Sequence, residues 1–269
     1  LKQEELDELS VCPEIEIIVI DDCSDDPRYK DIKASNLLPG VVTLNIIHLP
    51  IRSKDIFGYA CPGGWQRNFG MLYGSGEYFA FLDDDDEFEP DKLKIQLQLM
   101  EKYNVKMSST NAIRSDKKLY IQPRQDDIIY NVKEKILTKN NLNKTNYVIC
   151  SSVVIHSDLI KKTGWFKPLS YADDYEYWLR ALNYTDILFI NTPLVKYNTI
   201  SNKEYCSDIK WVQNYQSHTV IRSILNNFPI LGFIHEPDEP APHPVKRIIS
   251  PSKKRIGINV KNNIRKTFH

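Results

Sequence analysis

Cysteine is scarce and shows no pairing pattern: Cys12, Cys23, Cys61, Cys150 and Cys206 are scattered, and no two form a C-x-x-C. An odd, dispersed set suits neither a disulfide framework nor a zinc cluster, and it predicts a reducing compartment. No apolar run approaches the roughly 20 residues of a membrane-spanning helix. The N-terminus carries no signal-peptide pattern. "NKT" and "NYT" match the glycosylation sequon, but so short a triplet arises by chance. Internal repeats are absent too. The expectation is a soluble, cytoplasmic protein.

Net charge is also missing, with 35 basic residues against 35 acidic ones, but the balance is uneven along the chain. From Ala241 onward there are eight Lys or Arg (Lys246, Arg247, Lys253, Lys254, Arg255, Lys261, Arg265, Lys266) and no acid, leaving 27 basic against 35 acidic residues elsewhere. An acidic body with a basic end is a pattern to be explained. What is plentiful is core material: 42% of the 269 residues are hydrophobic and 11% aromatic, enough for one large globular domain.

The apolar runs alternate with helical patterns. "EIEIIVIDDCSDD" (Glu14–Asp26) is a β-branched run ending in carboxylates, as a buried parallel strand with a polar C-terminal loop would. "VVTLNIIHL" and "EYFAFL" read as further strands, and "GGWQRNFGMLYGSG" as a helix bracketed by glycines. "EPDKLKIQLQLMEKY" places Pro90 near a first turn and Leu93, Leu97 and Met100 on one face. "YVICSSVVIHSDLI" reads as strand then helix. A helix from about Asp173 puts Tyr175, Trp178, Leu179 and Leu182 on a core face, and "DILFI" is a late strand. This alternation predicts an α/β fold with a doubly wound sheet, whose ligands sit beyond the carboxyl ends of the strands. A domain over 1–234 is expected, then a Pro-rich linker (Pro237, Pro240, Pro242, Pro244, Pro251) and a basic tail within 235–269.

Both acidic clusters, Asp21–Asp22 and Asp83–Asp86, fall at strand ends, where a ligand crevice is expected. "LDDDDEF" is not a calcium-binding EF-hand loop, because Phe88 stands where glycine is needed and Lys94 where glutamate is. A solvated acidic turn before a helix is the plain alternative.

Four stretches, "IEIIVIDDCSDD", "QRNFGMLYGSGEYFAFLDDDDEFEPDKL", "KKTGWFKPL" and "YADDYEYWLRAL", in this order and spacing, resemble the family-2 glycosyltransferases, which have the GT-A fold. The resemblance spans roughly Ile15 to Leu182 and implies a GT-A nucleotide-binding sheet. It also implies a metal-dependent, inverting transfer from a UDP-sugar to a glycan or lipid-linked acceptor, in cell-surface polysaccharide synthesis. Such chemistry must offset the leaving diphosphate, anchor the nucleoside, and take a proton from the acceptor hydroxyl. By the resemblance the D-x-D signature maps to Asp83 and Asp85, which would hold Mn²⁺ or Mg²⁺, with Asp83 reaching the ribose or a metal-bound water and Asp84 between them. Asp22, beside Asp21, would accept the hydrogen bond of the base's ring N–H, and Arg67 would lie near the nucleotide. Asp174 would be the catalytic base, with Asp173 where the family has glutamate; a helix N-terminal acid is the structural counterpart of that role. Trp165, Phe166 and Trp178 are candidates to stack on an acceptor sugar, although their spacing also suits a core.

Two features depart from the family. Its opening strand and helix precede the D-D-x-S strand, and "LKQEELDELSVCPEIEI" supplies at most the end of that helix. After "PLVKY" the usual Y-R-x-H is "YNTI", so its metal-ligating histidine is absent; His218 and His235 are weak substitutes. A catalytically inactive nucleotide- or sugar-binding module of the same fold is therefore the rival. A nucleotidylyltransferase would need a Gly-rich basic phosphate loop near the N-terminus, which this chain lacks. For residues 245–269 two readings stand together: a solvated tail, or two short amphipathic pieces, broken by Pro251 and Gly257, on the anionic inner face of the membrane. No nucleic-acid partner is expected.

Overall fold

The computed structural model describes residues 14–25, 35–38, 42–58, 63–121, 133–144, 146–170, 172–199 and 255–262, with the backbone alone for 35–38 and 255–262. Its strands are β1 (Glu14–Asp21), β2 (Ser35–Leu38), β3 (Val42–His48), β4 (Tyr78–Asp83), β5 (Glu87–Phe88), β6 (Met107–Arg114), β7 (Glu134–Leu137), β8 (Val154–His156), β9 (Ile187–Tyr197) and β10 (Arg255–Asn262). The helices are α1 (Ser53–Phe57), α2 (Gly64–Tyr73), α3 (Lys92–Tyr103), α4 (Lys139–Leu142), α5 (Ser157–Thr163) and α6 (Asp173–Ala181). A 3₁₀ turn, Cys150–Ser152, precedes β8.

The strands form one mixed sheet in the order β2-β3-β1-β10-β4-β8-β6-β9-β5, with β7 paired to β9. Its parallel centre is β3, β1, β10 and β4. β8 joins β4 and β6 antiparallel, and β9 runs parallel to β6. Both faces of the centre are covered, which is why its strands read as unbroken apolar runs. Along β4, Tyr78, Ala80 and Leu82 enter one core cluster with Ile15, Ile17 and Val19 of β1 and Leu93 and Met100 of α3. Phe79 and Phe81 point to a second cluster with Met71 of α2 and Tyr177, Trp178 and Ala181 of α6.

Three expectations change. The buried face of α6 is Tyr177, Trp178 and Ala181 with Asp173, whereas Tyr175, Leu179 and Leu182 are only partly buried. The Tyr175 hydroxyl donates to the Leu142 carbonyl (2.6 Å), so this ring is only partly buried and its polar end is satisfied there. Phe166 and Trp178 are core residues, Phe166 stacking on Tyr177 at 4.2 Å between ring centroids, so neither faces an acceptor; Trp165 is exposed.

The third change concerns the basic end of the chain. Arg255–Asn262, expected as part of a tail, is a strand inside the sheet, parallel to β1 on one side and β4 on the other. The alternation of Ile256, Ile258 and Val260 is a strand pattern, and Gly257, a helix breaker, is tolerated there. Charge in the surrounding segment masked that pattern. The Pro-rich stretch, the remaining basic residues, His218 and His235 lie outside the described residues.

Candidate active site

The carboxyl ends of β1 and β4 carry the two acidic clusters, as expected for a crevice at parallel strand ends. At the end of β1, Asp21 is buried and fully engaged in shaping the loop. It accepts from the Ser24 amide (3.2 Å) and hydroxyl and pairs with His48 Nδ1 at 2.9 Å. Asp22 accepts from the Ser53 amide (2.9 Å) and hydroxyl (2.7 Å), fixing the start of α1. Each carboxylate oxygen has a second lone pair, so Asp22 can still accept from a ligand. Cys23 beside it takes φ 58°, which turns the chain, and Arg52 Nε donates to its carbonyl (3.1 Å).

At the end of β4, Asp84 and Asp85 form a turn closed by the Asp86 amide donating to the Asp83 carbonyl (3.1 Å). Asp85 is exposed at its tip, while Asp83 and Asp84 are half-buried. Asp86 is buried and anchors the turn, accepting from the Asn198 amide (2.8 Å) just past β9. Burial, with Asp83 and Asp85 close by, pushes the Asp86 carboxyl well above the usual carboxylate range. The Ser151 hydroxyl accepts from the Asp83 amide (3.0 Å), tying the strand end to the 3₁₀ turn.

Arg67 connects these parts. It lies on α2, is 3% exposed, and pairs with Asp83 Oδ1 at 2.7 Å. Burial opposes its charge, but the nearby carboxylates of Asp83, Asp173 and Asp174 hold it firmly protonated. At this burial the pair with Asp83 is not a helix-surface salt bridge. Cys150 is itself kept as a thiol by burial.

The two acids at the start of α6 have separate tasks. Asp173 is buried, and its Oδ2 accepts from the Gly64 amide, the first N–H of α2 (2.5 Å). A side chain at Gly64 would collide with that carboxylate and with Phe166, so the glycine permits the close approach. Asp173 thus pins one helix to another. Asp174 is less enclosed and accepts from the Tyr175 amide (2.7 Å). Burial raises its pKa above the ordinary carboxylate value, Asp173 adds to this, and Arg67 opposes it. A raised carboxylate at a crevice rim suits general-base work.

Arg67, Asp83, Asp173 and Asp174 are therefore brought together, and Asp85 is beside them on the turn. Asp21 and Asp22 stand two strands away, about 10 Å by ordinary strand spacing, with β10 between. The supports Ser53, Ser151, Asn198 and Gly64 escaped the sequence reading. Only Gly64 left a signal there, as one of the glycines bracketing α2.

The chain's residues 61–164 match the family model described as "Glycosyl transferase family 2". An Escherichia coli UDP-Glc:α-D-GlcNAc-diphosphoundecaprenol β-1,3-glucosyltransferase is 26% identical over 223 residues, covering 82% of this chain and 75% of that protein. These matches support a glycosyltransferase similar to glycosyl transferase family 2. An uncharacterized glycosyltransferase of Rickettsia typhi is 26% identical to this one over 191 residues, 68% of this chain and 54% of that protein, so the chain spans about half the length of that relative. Among solved structures, Staphylococcus aureus TarS 1–349 in complex with UDP-GlcNAc aligns with a TM-score of 0.51 at 15% identity, over 79% of this glycosyltransferase and 67% of that chain. The UDP complex of the same TarS segment gives 0.50 at 14% identity, over 81% and 70%. These likenesses establish the GT-A type of fold.

Proposed function

We propose that this glycosyltransferase moves a sugar, with inversion, from a UDP-sugar to a glycan or lipid-linked acceptor in the building of cell-surface polysaccharide. The observation that carries the reading is a buried arginine, Arg67, shared by the end of the D-x-D strand and the start of α6. It holds Asp83, on the donor side, close to Asp174, on the acceptor side. Asp174 takes the proton of the acceptor hydroxyl as that oxygen attacks the anomeric carbon. Asp173 does not meet substrate in this scheme; it fixes α6 against α2. Asp22 receives the ring N–H of the base. The names of two relatives support the donor and acceptor classes: the E. coli protein is named for UDP-Glc and a diphosphoundecaprenol acceptor, and TarS was solved with UDP-GlcNAc.

The residues present fit a divalent ion. Among the described residues no group of three His, Cys, Asp or Glu forms a metal cage. The turn instead offers the exposed Asp85 with Asp83, all-oxygen donors suited to Mg²⁺ or Mn²⁺, which commonly take one or two carboxylates and complete their shell with phosphates and water. When bound, the ion offsets charge on the leaving diphosphate.

No described helix is long and apolar enough to cross a membrane. A lipid-linked acceptor places the reaction at the cytoplasmic face of the membrane, with the protein peripheral. Calorimetry of UDP with and without Mn²⁺, followed by assay of sugar transfer, tests the reading. Parent protein should bind UDP in a Mn²⁺-dependent way, and Asp85→Asn should abolish that dependence. Binding without turnover would point instead to an inactive nucleotide-binding module.

A further inference from the structure

Asp22 is half-buried and within reach of a ligand, but its carboxylate is not free to turn. Oδ1 accepts from the Ser53 amide (2.9 Å) and Oδ2 from the Ser53 hydroxyl (2.7 Å), so one residue grips both oxygens and fixes their plane. The hydroxyl has a single proton, which goes to Asp22. One of its lone pairs receives Gln66 Nε2 from α2 at 3.4 Å, a long contact. Ser53 and Gln66 are both buried, so they act on a ligand only through Asp22. Gln66 Oε1 is buried without a hydrogen-bond partner among the described residues, an arrangement that stability alone does not favour. The position of Gln66 on α2 supplies another reason for it. The next residue, Arg67, holds Asp83 at the end of β4, and the amide of Gly64 holds Asp173. One turn of one helix thereby reaches the nucleoside, diphosphate and acceptor sides of the crevice.

We infer that Ser53 and Gln66 are positioning residues for base recognition: they hold the Asp22 carboxylate as an acceptor of fixed direction for the ring N–H of uracil. Cytosine has an acceptor at that ring nitrogen and would set lone pair against lone pair. A carboxylate free to swing could relieve that clash, whereas one gripped at both oxygens cannot. This inference rests on the UDP-sugar reading above, in which Asp22 receives the base.

Calorimetry of UDP, CDP and inorganic pyrophosphate, each with Mn²⁺, against parent, Asp22→Ala, Ser53→Ala and Gln66→Leu tests it, with thermal melting in parallel. Ser53→Ala removes a hydrogen bond to a charged group and should weaken UDP about tenfold or more. Gln66→Leu removes a neutral one and should weaken UDP about threefold, with no fall in melting temperature because the unpaired Oε1 goes too. Both should narrow the preference for UDP over CDP and leave pyrophosphate unchanged. Variants that keep the parent's UDP affinity and preference would overturn the inference alone. So would a parallel loss of UDP and pyrophosphate, or a lower melting temperature for Gln66→Leu with UDP affinity intact, since either reveals a structural role only. A parent that does not bind UDP, or an Asp22→Ala variant that binds it as well as the parent, would take down the base reading and this inference with it.

Discussion

Asp173 and Asp174 are neighbours of the same chemistry, and their surroundings give them opposite duties. Asp173 accepts the first amide of α2 within a buried contact, so Asp173→Ala leaves that N–H without its partner and should cost about 1–3 kcal/mol of stability. Asp174→Asn keeps size and polarity but removes the proposed base, so turnover should fall by roughly 10²- to 10⁴-fold while donor affinity and melting temperature hold. Equal thermal losses in both variants would return Asp174 to a purely structural role. The pH profile carries the same information. With the Asp174 carboxyl raised by burial, activity should climb with pH through a limb above the ordinary carboxylate value, and Asp174→Asn should remove that limb. Sequence alone identified this pair as a pair. It could not divide the work, because the division depends on Gly64, more than a hundred positions earlier, reaching the Asp173 carboxylate.

Among the elements, α3 and β6 show what polarity patterns conceal. The α3 helix was legible from Leu93 and Met100, but Lys92 and Gln96 on it are wholly buried as well. Lys92 Nζ donates to Gln96 Oε1 (2.6 Å) and sits 4.2 Å from the centre of the Phe88 ring; Gln96 Nε2 donates to Ser108 Oγ (3.0 Å) and the Ser152 carbonyl (2.9 Å). The β6 strand went unread because Ser108, Ser109, Thr110 and Asn111 look like a loop, yet all four are buried. Asn111 shows how this is tolerated: it donates to the Ile121 carbonyl and Asn191 Oδ1 (both 3.0 Å) and accepts from the Ala112 (2.9 Å) and Ile121 (3.0 Å) amides. Burial holds the Lys92 ammonium well below the ordinary lysine value. Between that lowered value and the ordinary one near ~10, the unfolded chain binds a proton that the folded chain does not, so this group makes stability rise with pH. Lys92→Met should flatten that part of the melting profile and leave the protein at neutral pH as stable as the parent, or more so by about 1 kcal/mol. An unchanged slope below pH ~10 would show that another group is responsible.

At the scale of the whole molecule the crevice depends on strands from both ends of the chain. The acidic clusters were readable because carboxylates after apolar runs mark strand ends in any parallel sheet. The strand between them was not, since eight cations in the last 29 residues suggested a surface role. With residues 255–262 taken into the sheet, the cations left to meet anionic lipid are Lys246, Arg247, Lys253, Lys254, Arg265 and Lys266. Each contributes about 1 kcal/mol near such a surface. Replacing all six by Gln should abolish cosedimentation with phosphatidylserine vesicles at low salt while UDP binding persists. Pelleting that ignores both salt and the substitutions would dismiss the membrane role.

The pairing of β10 with β1 and β4 also sets a timetable for biosynthesis. Both partner strands leave the ribosome long before Arg255 does, and the pairs Glu14 with Arg255 and Tyr78 with Ile256 are among the most distant in the chain. At ordinary elongation rates of about 5–20 residues per second, the interval between Asp83 and Asn262 lasts roughly 10 to 40 s. Throughout it, β1 and β4 each present an apolar edge with unsatisfied backbone groups, the kind of surface that recruits neighbouring chains or chaperones. The nascent protein must shelter that slot until Arg255–Asn262 arrives to close it.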